Sequence, residues 1–380
     1  MNGCVCVSVS VLRRGRESRS ESQESPSRAM LLALLVPGIA SLLLVVPGPT
    51  PQRFRTRKDS GRTHTVVAKS NTEEAAARTA WLSRTSPSWA IRGHVESTTR
   101  DPEAAAMIHD YSAGPPTASL VPSGQCVFGE EWAPAPLLAR KWIGHDTVLL
   151  TFGLQDGQRP LGLSTCACLL ARGEPPSDRA DPVVRPYTPV STNAMLGAFE
   201  LMVKVYPDGV MSQQLARLPI GANLYFKHIP LNIKYQYPFG ASTLVVLVGG
   251  TGIAPMIQAL HAVLGSPSDA TRATVLYSSK TEADILARRT LDEWETTHPH
   301  RLQVHHTLTR EAEGTSWSGR RGRIDEAMLR ELVPPPSEDV LIFVCGPPAM
   351  YDALSGARTD AGLSGTLAQM GYAAEQVVKF

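Results

Sequence analysis

Between Asp146 and Phe152 (DTVLLTF) apolar side chains crowd a short run, which reads as a β-strand. Ser164–Leu170 is a second candidate, and Val183–Pro186 leads into a third. Ala198–Tyr206 (AFELMVKVY) alternates most clearly, and Asn223–His228 is another short strand. Strand after strand, joined by connections that carry Pro and Gly, predicts a small antiparallel barrel. The period changes near residue 243. Thr243–Val248 (TLVVLV) is a continuous apolar run, as expected of a strand buried on both faces. A helix over 255–264 follows, then a strand over 273–278, a helix over 282–297 and a strand over 302–308. A helix over 325–332, a strand over 340–345 and a helix from Ala349 complete the pattern. This alternation predicts a parallel sheet with helices on both faces. The expected fold is therefore a β-barrel followed by an α/β domain, with the boundary between Tyr237 and Ser242.

The first 125 residues differ in texture. Residues 1–29 are rich in Arg and Ser, and an apolar run follows from Met30 to Val46 (MLLALLVPGIASLLLVV). It lies at the short end for a membrane-spanning helix, which needs about 17–25 residues. Arg53, Arg55, Arg57, Lys58 and Arg62 come next. Three readings fit the run: a membrane anchor, the apolar part of a cleaved targeting segment, or sequence upstream of a later start at Met30. Glu17, Glu21 and Glu24 count against an organelle presequence. Residues 64–125 carry no sustained period and read as a linker, mostly unstructured, with one helical turn near Glu73–Ala80. The expected division is thus a targeting or anchor segment with linker over 1–126, a barrel domain over 127–240 and an α/β domain over 241–380.

Composition narrows the class. Of 380 residues, 43% are apolar and 19% charged, and the formal net charge is +2. That is enough apolar material for a core, and the near-neutral balance argues against a dedicated nucleic-acid binder. The six cysteines contain no Cys-x-x-Cys pair, so neither a disulfide scaffold nor a thiolate zinc site is expected. His305 and His306 are adjacent and point to opposite faces of a strand. Cys166 and Cys168 would share one strand face and read as core packing. No metal is expected.

Several motifs stand at element ends. Arg185-Pro186-Tyr187-Thr188-Pro189-Val190-Ser191 combines a forked donor suited to phosphate, a flat ring and a hydroxyl, on a backbone that two prolines restrict. On its own it also reads as a Pro-rich turn. Lys204 and Tyr206 share one face of their strand, with Val203 alongside. Gly209-Val210-Met211-Ser212 opens a short helix, whose free amides and positive dipole end suit a pyrophosphate, or which is a plain cap. Gly249-Gly250-Thr251-Gly252-Ile253-Ala254-Pro255 and Cys345-Gly346-Pro347-Pro348 both lie at carboxyl ends of buried strands, where open α/β sheets bind ligands. The first does not have the spacing of the usual dinucleotide fingerprint. Asp284, beyond the second α/β strand, reads either as a ribose acceptor that repels a 2′-phosphate or as a helix N-terminal acid.

In this order, across about 160 residues, these motifs resemble the NADH–cytochrome b5 reductase family of the ferredoxin–NADP reductase superfamily. The resemblance covers about residues 127–380, including the final Lys379-Phe380. Phe226-Lys227-His228-Ile229-Pro230 and Gln236-Tyr237-Pro238-Phe239 look most like the plant and algal branch. The resemblance implies FAD and NADH as cofactors. Arg185, Pro186, Tyr187 and Thr188 would hold FAD, with Val203, Tyr206 and the Gly209–Ser212 turn. Lys204 matches a family lysine associated with NADH. Gly250, Thr251, Gly252 and Pro255 would lie between flavin and nicotinamide. Cys345 would sit near the nicotinamide, Gly346, Pro347 and Phe380 would also bind cofactor, and Asp284 would favour NADH over NADPH. Thr188, Lys204 and Cys345 would be the residues closest to the chemistry.

Two departures stand out. Val210 replaces a frequent basic residue, and Ser164-Thr165-Cys166-Ala167-Cys168 replaces a Gly-Gln-His pattern. The implied reaction needs no acid, base or nucleophile: NADH yields a hydride, a heme accepts one electron, and a flavin links the two. The implied partner is cytochrome b5 or a similar small heme protein, on a mitochondrial or endoplasmic-reticulum membrane, with a plastid location open. The competing readings are an NADPH-linked reductase of ferredoxin-like acceptors and a flavin-binding redox sensor without turnover.

Overall fold

The computed structural model describes residues 111–122, 124–176, 180–228 and 235–380. The apolar run Met30–Val46 and the turn near Glu73–Ala80 lie outside the described residues. Among the described residues no helix is long and apolar enough to cross a membrane.

The first sheet has six strands: β1 (Ala133–Trp142), β2 (Thr147–Gly153), β3 (Leu169–Arg172), β4 (Val184–Tyr187), β5 (Ala198–Lys204) and β6 (Asn223–Lys227). Their order is β4-β3-β6-β1-β2-β5, and every neighbouring pair is antiparallel. Val190 N donates to Glu200 O at 2.9 Å, so the chain leaving β4 reaches β5 and brings the sheet's two edge strands together. Phe128, Phe152, Phe199 and Phe226 fill the inside with centroids 5.0–5.8 Å apart, mostly edge to face. That is the geometry aromatic quadrupoles favour.

The period-2 reading found five of these strands. It missed β1, because Pro134 and Pro136 cannot donate to a ladder and so argue against a strand. They sit on the stretch of β1 that faces β6, and the apolar half Leu137–Trp142 pairs with β2. Ser164–Leu170 is not a strand throughout. Cys166 takes a left-handed turn (φ 62°), and the strand begins only at Leu169. Cys166 and Cys168 therefore do not share a strand face.

The second sheet is parallel, in the order β10-β9-β8-β7-β11-β12. Its members are β7 (Thr243–Gly249), β8 (Arg272–Ser279), β9 (Leu302–Leu308), β10 (Arg320–Arg321), β11 (Val340–Cys345) and β12 (Val377–Lys379). The helices are α1 (Val210–Arg217) in the barrel domain, then α2 (Ile253–Leu264), α3 (Arg288–Thr297), α4 (Glu326–Leu332), α5 (Pro348–Leu354) and α6 (Gly365–Gln369). The helix expected over 282–297 is interrupted. A short 3-10 turn covers Glu282–Asp284, Ala287 adopts φ 55°, and α3 starts at Arg288. Asp325 caps α4 by accepting from Met328 N at 2.9 Å.

Residues 111–122, expected to be part of a mostly unstructured linker, hold neither helix nor strand but are docked. Tyr111 is buried, and Thr290 Oγ1 donates to its carbonyl while accepting from Ala113 N. Trp294 Nε1 donates to Gly114 O at 2.7 Å, and Thr117 N donates to His261 Nδ1 at 3.0 Å. Asn193 Nδ2 in the barrel then donates to Ser119 O at 3.3 Å. The segment crosses from α3 over α2 to the barrel as a strap. A chain beginning at Gly124 is expected to unfold with about 3 kcal/mol less stability than one beginning at Asp110. The loss comes from one buried aromatic and two orphaned polar partners. Denaturant melts of the two chains check it, and equal midpoints would show the strap to be inert.

Candidate active site

On the barrel side the site is built at the end of β4 and around the turn into α1. Arg185 is exposed, donates to Val184 O at 2.8 Å, and has no carboxylate partner among the described residues. Pro186 is exposed, Tyr187 and Thr188 are half-buried, and Tyr206 is 51% exposed. Burial pushes the Tyr187 phenol well above its ordinary range, with nearby Arg185 opposing the shift and Tyr206 adding to it. Ser212 Oγ accepts from Tyr206 N and donates to Gly209 O, both at 3.1 Å. This folds the chain so tightly that a Cβ on Gly209 would meet Ser212 Oγ at 2.4 Å and Tyr206 Cβ at 2.9 Å. No side chain caps α1 and no acid lies in its first turn, so its leading amides have no side-chain acceptor. Val210, 41% exposed, supplies bulk there but no charge.

On the α/β side, β7 and β11 are neighbours, with Val248 opposite Cys345. Their glycine turns pack against each other. A Cβ on Gly252 would lie 2.1 Å from Cys345 O, one on Gly249 2.9 Å from Pro347 Cδ, and one on Gly346 2.6 Å from Met350 Sδ. Gly250 needs its positive φ (57°) to make the turn. Helix α2 then starts with no side-chain cap and no acid in its first turn. Thr251 is half-buried and Pro255 buried. Burial pushes the Cys345 thiol up to about 11, against a hydrogen bond with Tyr351 that lowers it. The group is a neutral thiol at physiological pH.

Val203 and Met211 are 2% and 3% exposed, with their side chains packed in the barrel core. Phe380 is buried too. Its ring packs edge-on against Phe343 at 4.9 Å, and its carbonyl accepts from the Tyr351 hydroxyl. The C-terminal ring anchors the end of the chain in the core.

Asp284 also differs from its expected role. Its Oδ2 accepts from Thr281 N at 3.1 Å and Thr281 Oγ1 at 2.7 Å, and its Oδ1 accepts from Lys204 Nζ at 3.1 Å. Lys204 reaches Asp146 Oδ2 at 2.6 Å as well. A barrel lysine thus sits between a barrel carboxylate and one from the α/β domain. Both carboxylate oxygens of Asp284 are engaged within the protein, and the residue is 9% exposed, so a ribose would share the carboxylate with Thr281 and Lys204. Burial alone would lower Lys204, but Asp146 and then Asp284 outweigh it and hold the ammonium above its ordinary value. Burial alone would raise Asp284, but Thr281 and Lys204 outweigh it and hold the carboxyl below its ordinary value. His145, Asp146 and Asp284 form the one group of three metal-ligand types among the described residues. The Lys204 ammonium stands where a cation would lie.

Sequence reasoning missed Asp146, which holds Lys204, and Gln258, which ties α2 to the barrel. Asp146 was legible as an acid opening β2, but its partner lies 58 positions on in the chain. The fit to a flavin and a nicotinamide nucleotide is good. Arg185, with no carboxylate partner among the described residues, exposed Tyr206, the uncapped start of α1 and the closely packed glycine turns form a cradle for phosphates and flat rings.

A barrel with a phosphate-ready helix start, followed by a parallel sheet with glycine turns at its carboxyl edge, defines a two-domain flavin- and nicotinamide-dependent oxidoreductase. The chain matches the family described as Oxidoreductase FAD-binding domain over residues 134–235 and that described as Oxidoreductase NAD-binding domain over 246–355. It is 36% identical over 284 residues to NADH-cytochrome b5 reductase 2 of Emericella nidulans, covering 72% of this chain and 86% of that protein. It is 38% identical over 247 residues to the protein of the same name from Botryotinia fuckeliana, covering 63% and 69%. The cytochrome b5 reductase domain of Ulva prolifera nitrate reductase superposes with TM-score 0.58 at 30% identity, over 67% of this chain and all of that one. The chain therefore belongs to the NADH–cytochrome b5 reductase family and is a flavoprotein oxidoreductase.

The charge cluster sets a pH window. Lys204 is held high, so its contribution to stability is complete at neutral pH and is lost as pH rises through that raised value. Asp284 is held low, so its contribution is complete above the ordinary carboxylate range and is lost as pH falls through its lowered value. Asp146→Ala is expected to cost about 1 kcal/mol at neutral pH, a modest figure because water screens the partly exposed pair. Most of that difference should vanish at high pH, once the ammonium has lost its proton. Melts across pH check this, and a pH-independent difference would refute it.

Proposed function

We propose that this enzyme takes a hydride from NADH and delivers single electrons to cytochrome b5 or a similar small heme protein. The observation that carries the reading is the joint between Lys204 on β5 and Asp284 on the α/β domain, which brings the barrel edge to the carboxyl end of the parallel sheet. In the same region β5 approaches the Gly250–Gly252 turn. A bound FAD supplies the conversion of a two-electron hydride into one-electron steps. The chain's residues bind, orient and exclude water. Arg185 and the α1 amides would take the pyrophosphate, Tyr187 and Tyr206 the flat ring system, and Thr188 the flavin edge. Thr251, Gly252 and Pro255, with Cys345, Gly346 and Pro347, would receive the nicotinamide. Lys204 and Asp284 would meet the nucleotide's ribose only by loosening their ion pair.

The names of the fungal relatives support the heme acceptor. Gln236-Tyr237-Pro238-Phe239 supports a plant or algal affinity, while Ile229 and Pro230 of the companion motif lie outside the described residues. The apolar run 30–46 with basic flanks supports association with a mitochondrial or endoplasmic-reticulum membrane, with a plastid membrane as the alternative.

The test is anaerobic mixing of the FAD-loaded protein with NADH or NADPH, followed by oxidised cytochrome b5. The expected result is a yellow protein bleached much faster by NADH, whose electrons then reduce the heme. Asp284→Ala should narrow the NADH-to-NADPH ratio of kcat/KM by about tenfold or more. The substitution removes a like charge from the 2′-phosphate and leaves Lys204 with one carboxylate partner, Asp146, in place of two. A colourless protein that takes up no FAD would overturn the reading. Bleaching without heme reduction would leave the flavin chemistry and overturn the acceptor.

A further inference from the structure

Gln258 lies on α2, one turn beyond the Gly252–Pro255 start, and is 7% exposed. Its Oε1 accepts from Cys166 N at 2.7 Å. Its Nε2 donates to Pro189 O at 2.8 Å and Ser191 O at 3.1 Å. Both amide protons and the carbonyl are therefore spent, and all three partners belong to the barrel. Pro189 directly follows Thr188, and Cys166 is the residue in the left-handed turn before β3. Cys166 closes the same contact from its own side, its Sγ donating to Pro255 O at 3.1 Å. Around these bonds the seam is apolar. Ile143, Cys166, Val190 and Met202 of the barrel pack in one cluster with Met256, Ile257 and Leu260 of α2.

We propose that Gln258 is a positioning residue for hydride transfer. It sets the separation between the flavin-side segment Arg185–Ser191 and the nicotinamide-side turn Gly250–Pro255. This inference rests on the reading above and adds the device that holds its two halves in register. The physical reason is that one buried amide meets three backbone groups on two separate loops. A slide of α2 along the barrel by an ångström would break all three bonds at once, with the amide and its partners largely buried. Hydride transfer needs the reacting atoms held at near contact, and misplacement of that size lowers rates by about 100-fold. No group on Gln258 has to touch either cofactor.

Two variants of the full chain test it. Gln258→Leu keeps the bulk and removes all three bonds. Gln258→Glu keeps an acceptor for Cys166 N but turns a carboxylate toward two carbonyls. Protonation of that carboxyl restores one donor. Burial and the facing carbonyls raise its pKa, so the donor returns as pH falls toward about 6. The titratable neighbours are Cys166, whose thiol burial pushes far up, and His261, whose imidazole burial pushes down to about 4, so neither changes charge in that range.

The readouts are FAD content, NADH affinity, the rate of flavin bleaching at saturating NADH, and the long-wavelength absorbance that appears when NAD+ is added to the reduced protein. Gln258→Leu is expected to keep FAD and bind NADH within about threefold. It should bleach roughly 10- to 100-fold slower, with a weakened long-wavelength band. Gln258→Glu should be slow near pH 8 and recover severalfold near pH 6, while the parent profile stays flat over the same interval.

Bleaching within twofold of the parent in both variants would overturn the proposal, as would loss of FAD in both, which would mark Gln258 as structural. A parent that holds FAD but is not bleached by NADH would sink the functional reading itself, a result separate from any effect of the variants.

Discussion

The site depends on a tightly packed seam between the first turns of α2 and the barrel loops that follow β4 and precede β3. Apolar side chains from both domains fill it, and Gln258 and Cys166 thread hydrogen bonds through it. In such a seam an unmade polar contact is costly, so only a narrow range of relative placements keeps every group satisfied. The separation between Arg185–Ser191 and Gly250–Pro255 inherits its value from that restriction. A covalent linker alone would leave two such domains free to move against each other.

Close approach of backbones is the second condition. Gly249, Gly252 and Gly346 have no room for a methyl group because β7 and β11 end side by side and both chains turn at the same level. A 3-10 turn over Gly250–Gly252 leads directly into α2, with Ile253 N donating back to Gly250 O and Thr251 O. On the barrel side Gly209 opens α1, which has no side-chain cap. Both helix starts present positive dipole ends without many charged side chains.

Much of this was legible from local pattern. Alternation in Ala198–Lys204, the apolar run of β7 and the β-α rhythm beyond it follow from burial on one face or two, and burial writes itself into residue type. The motif residues were legible because prolines and glycines are chosen for backbone geometry. What stayed hidden has a common cause. Strand β1 was masked by Pro134 and Pro136, which keep a place on the ladder beside β6. Cys166 in a left-handed turn broke an expected strand, and nothing in its side chain announces that conformation. Asp146, Gln258 and the strap 111–122 act through partners distant in sequence, and a polar residue whose partner is distant looks like any solvated one. Phe380 packs on Phe343 at the end of the chain, a contact that its place as the last residue does not announce.

Asp284 joins these levels. An acid beyond the second strand of such a sheet would be expected to face solvent and select a ribose over a phosphorylated one. Here its Oδ2 closes a 3-10 turn and its Oδ1 holds Lys204, which Asp146 holds in turn. Two carboxylates and one ammonium leave a net negative charge where β5 meets the α/β domain. Because Asp146 and Lys204 belong to the barrel and Asp284 to the α/β domain, the charge placed there and the joint between the domains share the same three side chains. A substitution at any of them therefore alters the local field and the joint together.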